Sequence, residues 1–159
     1  MPDYKDHQPH PIDPCPLLPP PARKLAILTC MDARINLWEL FQLGLGDAHV
    51  VRNAGAIATT DVIRSLAASQ RLMDTEEIVV IQHTDCRIHR IAPETFAAEV
   101  GAEIGRLPDW KVPATDSPRS TLALTLKILR AAPELPRRDR ISGHVLDLQS
   151  GLLLEPDAD

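Results

Sequence analysis

Aromatic side chains and an excess of positive charge are what this 159-residue chain most clearly lacks. Aromatic residues make up 3% of the sequence, and the formal net charge is −5 at pH 7. Nucleic-acid binding depends on basic patches and, for single strands, on aromatic side chains against which bases stack. The composition therefore argues against a nucleic-acid partner.

Long apolar runs are missing as well. No stretch approaches the roughly 20 apolar residues that a membrane-spanning helix needs. Residues 1–10 are polar and do not resemble the apolar core of a secretory signal. We therefore expect no membrane partner and a cytoplasmic location. The 44% of apolar residues is typical of a globular protein, and the length is typical of one domain.

Cysteine is rare, with only Cys15, Cys30 and Cys86 in the chain. Thiols stay reduced in the cytoplasm, so these residues are better interpreted as metal ligands than as a disulfide framework. Proline, in contrast, is abundant, and eight of the 15 prolines lie in residues 1–22. Proline lacks an N–H donor and restricts φ. Residues 1–22, with Cys15, are therefore predicted to form an extended arm outside the sheet and the metal site.

The rest of the chain alternates apolar runs with helical periodicity. Strands are predicted at residues 25–29, 48–51 and 78–82, and a closing hairpin at residues 141–148 and 152–155. This alternation predicts an α/β fold, a mainly parallel central sheet flanked by helices with a C-terminal hairpin pair. We expect one α/β domain over residues 23–156 and an acidic tail at residues 157–159.

Four helices are predicted between these strands. The first is short, carries Leu37, Leu40 and Phe41 on one face, and is expected to stop at Gly44. The second covers about residues 60–73. The third opens at Pro93 and should bury one apolar stripe, and the fourth should have Ser117 as N-cap and Pro118 at its first position. The stripe of the third helix consists of Phe96, Val100 and Ile104.

Two short motifs follow the first and third predicted strands. Cys30-Met31-Asp32-Ala33-Arg34 comes after one, and His83-Thr84-Asp85-Cys86 comes after the other. Open α/β sheets place their sites at the carboxyl ends of strands, and two thiolates with one imidazole suit Zn²⁺. Cys30, His83 and Cys86 are therefore the predicted ligands. The alternative for each residue taken singly is a buried thiol or a hydrogen-bonded core histidine.

Asp32 has two possible roles beside these ligands. If its carboxylate coordinates the metal, the site has four protein ligands and is closed; if it pairs with Arg34, the fourth position is open for water. A plain surface ion pair is the third possibility. We therefore count Asp32 both as a candidate fourth ligand and, with Arg34, as a candidate catalytic residue.

Together the two motifs resemble the β-class carbonic anhydrases, in which Cys-x-Asp-x-Arg is followed later in the chain by His-x-x-Cys. The likeness extends from about Lys24 to Glu155 and includes the loop Arg52-Asn53-Ala54-Gly55. It implies a zinc carbonate dehydratase that converts carbon dioxide to bicarbonate and a proton through zinc-bound hydroxide. It also implies a pH-sensitive gate formed by Asp32 and Arg34, and assembly as a homodimer or homotetramer.

Other functions remain open on the same scaffold. Hydrolysis of carbonyl sulfide or carbon disulfide is one alternative, and only the shape of the substrate pocket would distinguish it from carbon dioxide hydration. A non-catalytic zinc-binding or redox-sensing module is a further alternative. One departure bears on this question, because members of the resembling family usually have glycine where this chain has Arg87. The arginine could crowd the pocket, pair with Asp85 or Asp32, or point into solvent.

Three neighbouring residues have less certain roles. The backbone N–H of Gly55 could face a bound oxyanion. Arg52 could pair with a carboxylate at the site, or it could form a structural ion pair. Asp85 could support the ligands on either side of it, or it could be a solvated turn residue.

Overall fold

Five strands form one sheet in the computed structural model, which describes residues 15–110 and 117–154. The strands are β1 (Leu25–Cys30), β2 (Ala48–Asn53), β3 (Glu77–His83), β4 (Ile141–Leu146) and β5 (Leu153–Leu154). Their order is β2-β1-β3-β4-β5. The first four are mutually parallel, and β5 runs antiparallel to β4. The predicted α/β fold with a mainly parallel sheet and a closing hairpin is therefore confirmed.

Four α-helices join these strands: α1 (Leu37–Phe41), α2 (Thr60–Leu72), α3 (Pro93–Ile104) and α4 (Pro118–Ala131). Short 3₁₀ turns occupy Arg87–Arg90 and Arg138–Arg140. Ser117 caps α4 as predicted, because its hydroxyl accepts a hydrogen bond from the backbone N–H of Ser120 at 3.1 Å. Among the described residues, no helix combines the length and the apolar character needed to cross a membrane.

The predicted stop of α1 at Gly44 was wrong. The helix ends at Phe41, and Gln42 adopts the left-handed conformation with φ of 51°. The backbone N–H of Leu43 then reaches the Trp38 carbonyl oxygen at 2.9 Å. Gly44 instead donates its N–H to the Asp47 carboxylate at 2.8 Å. A left-handed residue at a helix end is usually glycine, so sequence pattern misplaced this terminus.

The core lies on both faces of the central strands. β1 and β3 are almost completely buried, as expected for strands of a parallel sheet. The helix α2 contacts β2, and α4 contacts β3 and β4. Leu66 of α2 and Leu122 and Leu129 of α4 are fully buried. These contacts hold the carboxyl ends of β1 and β3 in place.

The expectation that α3 buries an apolar stripe was also wrong. Phe96 and Val100 are only half-buried, Ile104 is 52% exposed, and no residue of α3 is buried. The Phe96 ring instead contacts the Trp110 ring, with centroids 5.6 Å apart. Helical periodicity identifies an apolar face but does not determine what covers it. In the described part of the chain, the more extensive contacts between helices and the sheet are those of α2 and α4.

The predicted arm and tail lie partly outside the part of the chain that the structure describes. Residues 15–22 are irregular and run beside β2, since the backbone N–H of Ala22 donates to the Gly46 carbonyl oxygen at 2.9 Å. Residues 1–14 and 155–159 are not among the described residues. The proposed division into arm, domain and tail therefore stays a prediction.

Candidate metal centre

The candidate ligands stand at the carboxyl ends of two adjacent strands. Cys30 is the last residue of β1 and His83 the last residue of β3. Because β1 and β3 pair in parallel, both ends meet at the same edge of the sheet. Cys86 follows after a tight turn in which Asp85 adopts φ of 56°. This turn therefore places the thiol of Cys86 beside that of Cys30.

Cys30, His83 and Cys86 form one buried group. One sulfur or nitrogen atom from each residue lies within 4.8 Å of the others, and the two sulfur atoms are 4.0 Å apart. Cys30 is 2% exposed, Cys86 3% and His83 fully buried. The three side chains could therefore hold one metal ion, as the sequence predicted.

The orientation of the His83 ring supports a metal ligand. Its Nδ1–H donates to the Thr84 carbonyl oxygen at 2.9 Å, which leaves the lone pair of Nε2 free. Nε2 is buried and accepts no hydrogen bond from the described residues. Metal-binding histidines characteristically donate their second ring nitrogen to a carbonyl or carboxylate in this way. The donor set and this unpaired nitrogen fit a metal ion.

The two thiols differ in acidity. Burial would raise the pKa of Cys30, but the His83 imidazole and the backbone N–H groups of Asp32 and Gly55 lower it to about 7. Burial raises the pKa of Cys86, and the nearby Cys30 raises it further. Burial would lower the pKa of His83, but the Cys30 thiolate raises it. A bound cation stabilises both thiolates, since metal ligation deprotonates a thiol.

Asp32 lies beside this group and pairs with Arg34. The guanidinium Nε and Nη2 donate to Oδ1 and Oδ2 of Asp32 at 3.0 and 2.7 Å, and the Arg34 backbone N–H donates to Oδ1 at 3.0 Å. These hydrogen bonds hold the pKa of Asp32 far below its usual range. Oδ2 is still only 3.9 Å from Nε2 of His83. The carboxylate therefore borders the centre while Arg34 holds it.

A second carboxylate holds the other side of Arg34. Asp85 accepts from Nη1 of Arg34 at 3.0 Å, and its backbone carbonyl accepts from Nη2 at 3.2 Å. The other carboxylate oxygen of Asp85 pairs with Arg90. Hydrogen bonds to Asp32 and then to Asp85 raise the pKa of Arg34, and the bond from Arg34 together with the nearby Arg90 lowers the pKa of Asp85. Asp85 thus supports the Asp32–Arg34 pair and does not touch the three candidate ligands.

Arg52 positions the loop after β1, but through carbonyl groups. Its guanidinium donates to the backbone oxygen atoms of Ile35 at 2.7 Å, Asp32 at 3.3 Å and Cys30 at 3.5 Å. No carboxylate among the described residues forms an ion pair with Arg52. Neither of the ion pairs suggested for Arg52 is therefore observed among the described residues. Arg52 instead binds backbone carbonyl groups.

Arg87 is exposed and makes no hydrogen bond or ion pair with the described residues. Asp85 and Asp32, its two suggested partners, are bound by Arg34 and Arg90 instead. Of the three possibilities for Arg87, the structure matches the one in which the side chain points into solvent. Cys15 is also exposed and is not part of the thiol group.

Sequence reasoning missed several residues around the centre. The sequence contains one indication of these residues, because the polar Gln82 interrupts the apolar run of β3. Its amide Nε2 donates to the carbonyl oxygens of Gly55 and Ala56 at 2.9 and 3.0 Å. Thr125 of α4 also donates to Ala56, at 3.3 Å. Nothing in the pattern pointed to Thr125, whose partner Ala56 is distant in sequence, or to Arg90, which pairs with Asp85 five residues before it.

The fold and this group define an α/β protein with a buried Cys–His–Cys group that could bind a metal ion at the carboxyl edge of its sheet. The family model of the carbonic anhydrases matches residues 25–124. Beta-carbonic anhydrase 1 of Mycobacterium tuberculosis is 36% identical over 140 residues, which cover 88% of this chain and 86% of that protein. The chain belongs to the β-carbonic anhydrase family.

Solved structures and other relatives agree with this assignment. A carbonic anhydrase of Streptococcus mutans superimposes with a TM-score of 0.80 at 33% identity, over 87% of this chain and 84% of that one. A carbon disulfide hydrolase of an Acidianus species is 31% identical, over 87% of this chain and 79% of its own length. The family therefore includes relatives named for two different substrates.

Proposed function

We propose that this protein is a zinc carbonic anhydrase that interconverts carbon dioxide and bicarbonate with release of a proton. The observation that carries the proposal is the buried group of Cys30, His83 and Cys86 beside the Asp32–Arg34 pair. Two sulfur ligands and one nitrogen ligand suit zinc better than magnesium or calcium, which prefer oxygen. The names of the relatives support the substrate.

Cys30, His83 and Cys86 would hold the metal, and three protein ligands leave a fourth position open. Bound zinc lowers the pKa of a water molecule, so that hydroxide is available near neutral pH. The fourth position must also be free of Asp32 for this chemistry. Arg34 binds both oxygen atoms of Asp32, and this pairing supports the open arrangement.

Asp32 and Arg34 would then position the nucleophile that bound zinc supplies. The Asp32 carboxylate is a hydrogen-bond acceptor at neutral pH, and the hydrogen bonds from Arg34 orient it and hold its pKa far below the usual range. An acceptor at this place can orient a hydroxyl group whose lone pair must face carbon dioxide. Asp85 holds Arg34 from the opposite side, which keeps the guanidinium in position without involving it in ligation.

Carbon disulfide, or carbonyl sulfide, is the second candidate substrate. The relative from Acidianus and the apo structure of a carbon disulfide hydrolase, with a TM-score of 0.76, favour it. The linear heterocumulene shape is common to all three substrates, and the same nucleophile would attack the central carbon. A non-catalytic zinc module is the remaining alternative. It would be favoured if Arg87 crowded the pocket, but the Arg87 side chain is exposed.

One pair of assays tests these functions. Carbon dioxide hydration is followed by stopped flow with a pH indicator, before and after removal of metal by a chelator and its restoration with zinc. We expect rapid turnover that the chelator abolishes and zinc restores. Release of hydrogen sulfide from carbon disulfide is measured in parallel. Zinc-loaded protein that turns over carbon disulfide alone would select the second function, and protein inactive on every substrate would contradict both.

We also propose a cytoplasmic homodimer or homotetramer. Ile104 and Leu107 are 52% and 70% exposed within one chain, Trp38 is 50% exposed, and Met31, which directly follows Cys30, is 63% exposed. Exposed apolar residues in such numbers are typical of surfaces that another chain covers. Sedimentation velocity tests the assembly, and a monomer at micromolar concentration would contradict it.

A further inference from the structure

The loop between β2 and α2 is held in an unusual backbone conformation. Gly55 has φ of 85° and Ala56 has φ of 50°, so two consecutive residues are left-handed. This region is readily accessible to glycine but is unfavourable for alanine. Such conformations persist only where the surroundings hold them, and they concentrate at functional sites. The contacts that hold this loop are therefore informative.

Side chains from three elements hold it. Asn53 at the end of β2 spans the loop, accepting from the Ile57 N–H at 3.0 Å and donating to the Ile57 carbonyl at 2.8 Å. Gln82 of β3 donates to the carbonyl oxygens of Gly55 and Ala56. Thr125 of α4 adds a bond to Ala56. Three of these bonds end on the two left-handed residues.

The result of this conformation is a hydrogen bond to a candidate ligand. The Gly55 backbone N–H donates to Sγ of Cys30 at 3.4 Å. When the Gly55 carbonyl is fixed by Gln82, the peptide unit that follows Gly55 is fixed as well. This restrains the backbone around the N–H that faces the sulfur atom. An N–H donor withdraws charge from a thiolate, so it changes how strongly that thiolate donates to a metal.

A glutamine at position 82 is unfavourable for the stability of the fold. Its side chain is fully buried, and Oε1 accepts no hydrogen bond within the described part of the chain. A buried unpaired acceptor costs free energy that an apolar residue of similar size would avoid. The amide group is therefore retained for its two donated bonds, which both reach the loop beside Cys30.

We propose that Gln82 is a positioning residue of the metal centre. It clamps the left-handed Gly55–Ala56 loop so that the Gly55 N–H stays directed at the Cys30 thiolate, and it thereby tunes the ligand strength of that sulfur. The proposal rests on the proposed function only in taking Cys30 as a metal ligand. It does not depend on which small molecule the enzyme hydrates.

The test replaces Gln82 by methionine, which has nearly the same length and no N–H donor. Gln70 provides the matched control, since it is also buried and its Nε2 also lacks a partner, but it lies near the opposite end of the fold, where it accepts from the Arg137 N–H. Gln70→Met and Gln82→Met are compared with the wild-type protein. Zinc affinity is measured by competition with a chromophoric chelator, and the sulfur-to-metal charge-transfer absorption is recorded on cobalt-substituted protein.

We expect Gln82→Met to weaken zinc binding about 10- to 100-fold, the usual effect of losing a supporting contact to a ligand. Its cobalt charge-transfer band should move to longer wavelength, because an unbonded thiolate donates electrons more easily. Gln70→Met should change neither quantity. Wild-type affinity and an unshifted band in Gln82→Met would overturn the proposal, and so would equal effects in the Gln70 variant.

A second variant covers the case in which Gln82→Met does not fold. Thr125→Val removes the other side-chain donor to Ala56 with little change in shape, and a smaller shift of the cobalt band in the same direction is expected. An unshifted band there would overturn the proposal. These readouts need no carbon dioxide, so zinc-binding protein without hydration activity would contradict only the proposed function.

Discussion

At the scale of single residues, Cys30 and Cys86 are almost equally buried but have opposite shifts in acidity. The pKa of Cys30 is lowered to about 7, because His83 and backbone N–H groups face its sulfur atom. The pKa of Cys86 is raised, with burial as the main cause. Backbone N–H groups lower the pKa of both thiols, and the additional interaction of Cys30 with the His83 imidazole distinguishes two thiols that solvent exposure does not. We expect both to be required for metal binding, since each supplies one of only three ligands.

Replacing Cys86 by serine should remove the metal. A serine hydroxyl is a weak ligand for zinc compared with a thiolate, and Cys30 with His83 cannot close the site. Elemental analysis of the purified variant should show zinc near background. Cys15→Ser is the control, because that thiol is exposed and outside the group, and it should retain full zinc. Full occupancy in Cys86→Ser would contradict the ligand assignment.

Replacing Arg34 by alanine should reduce carbon dioxide turnover on the order of 10²-fold, a typical contribution of a positioned proton-transfer group. The variant frees the Asp32 carboxylate from the two hydrogen bonds that the guanidinium donates, while the bond from the backbone N–H of residue 34 remains. Zinc content should not change. Arg90→Ala is the matched control, since Arg90 pairs with Asp85 but not with Asp32. Equal rates in wild type and Arg34→Ala across the pH range would show that the pair is structural only.

Arg87→Gly should leave zinc content unchanged and turnover equal to or higher than that of the wild type. The Arg87 side chain is exposed, and Asp32 and Asp85 are bound by other arginines. Removing the long side chain therefore breaks no contact at the centre. Turnover and zinc content are measured on the same preparation. A clear fall in turnover with zinc retained would show that Arg87 takes part in the reaction.

At the scale of elements, the arrangement of the candidate site at the carboxyl edge of the sheet depends on the loops that follow β1, β2 and β3. The loop after β1 is clamped by Arg52, the loop after β2 by Asn53 and Gln82, and the turn after β3 by the bond from Nδ1 of His83. Each clamp bonds to a backbone group. The loops are therefore ordered by neighbouring strands, and their geometry depends on correct packing of the sheet and its helices.

Gly143→Ala tests this dependence at the contact between β4 and α4. A Cβ atom at Gly143 would lie 2.5 Å from Cδ1 of Leu122 and 3.1 Å from the Val80 carbonyl oxygen. We expect a loss of about 1–3 kcal/mol in the free energy of unfolding, as is usual for overpacking. Urea denaturation measures it. Ser142→Ala, at the exposed neighbouring position, should be nearly neutral, and equal stability of both variants would contradict close packing of α4.

At the scale of the whole molecule, a charged cluster joins the ends of the sheet strands opposite the metal centre. Glu76 pairs with Lys24 at 2.8 Å, Arg140 at 2.9 Å and Arg137 at 3.6 Å. These residues precede β1, β3 and β4, so the cluster connects segments that are far apart in sequence. The cations, Lys24 first, lower the pKa of Glu76.

Glu76→Gln should weaken the fold at neutral pH and flatten the dependence of stability on pH. The folded state lowers the pKa of Glu76 below the unfolded value of about 4.3. Its stabilisation is therefore present above pH ~4.3 and is lost as the pH falls through the lower folded value. Melting temperatures of wild type and variant should differ at pH 7 and converge in acid. Glu77→Gln, an exposed neighbour without an ion pair in the described chain, is the control, and a constant difference at every pH would contradict the assignment.

The sequence by itself determined the strands, most helix starts and the residues of the metal centre. These features depend on local properties: the apolar run of each strand, the Ser117-Pro118 cap, and ligand types placed directly after strands. The two motifs were sufficient to predict the family and to select Cys30, His83 and Cys86, which the fold brings together as a group that could hold a metal ion. Their role as ligands stays a prediction. The positions at which local patterns were insufficient are equally informative.

Only the tertiary structure decided how these parts meet. Contact between β1 and β3 brings the two motifs together, and the support of Arg34 by Asp85 and the bonds of Gln82 to the Gly55–Ala56 loop depend on the order of the strands. The exposure of α3 and the left-handed Gln42 also escaped the pattern. The reason is that hydrogen-bond partners distant in sequence, and the surface available to cover an apolar face, are set by packing of the whole chain and not by local periodicity.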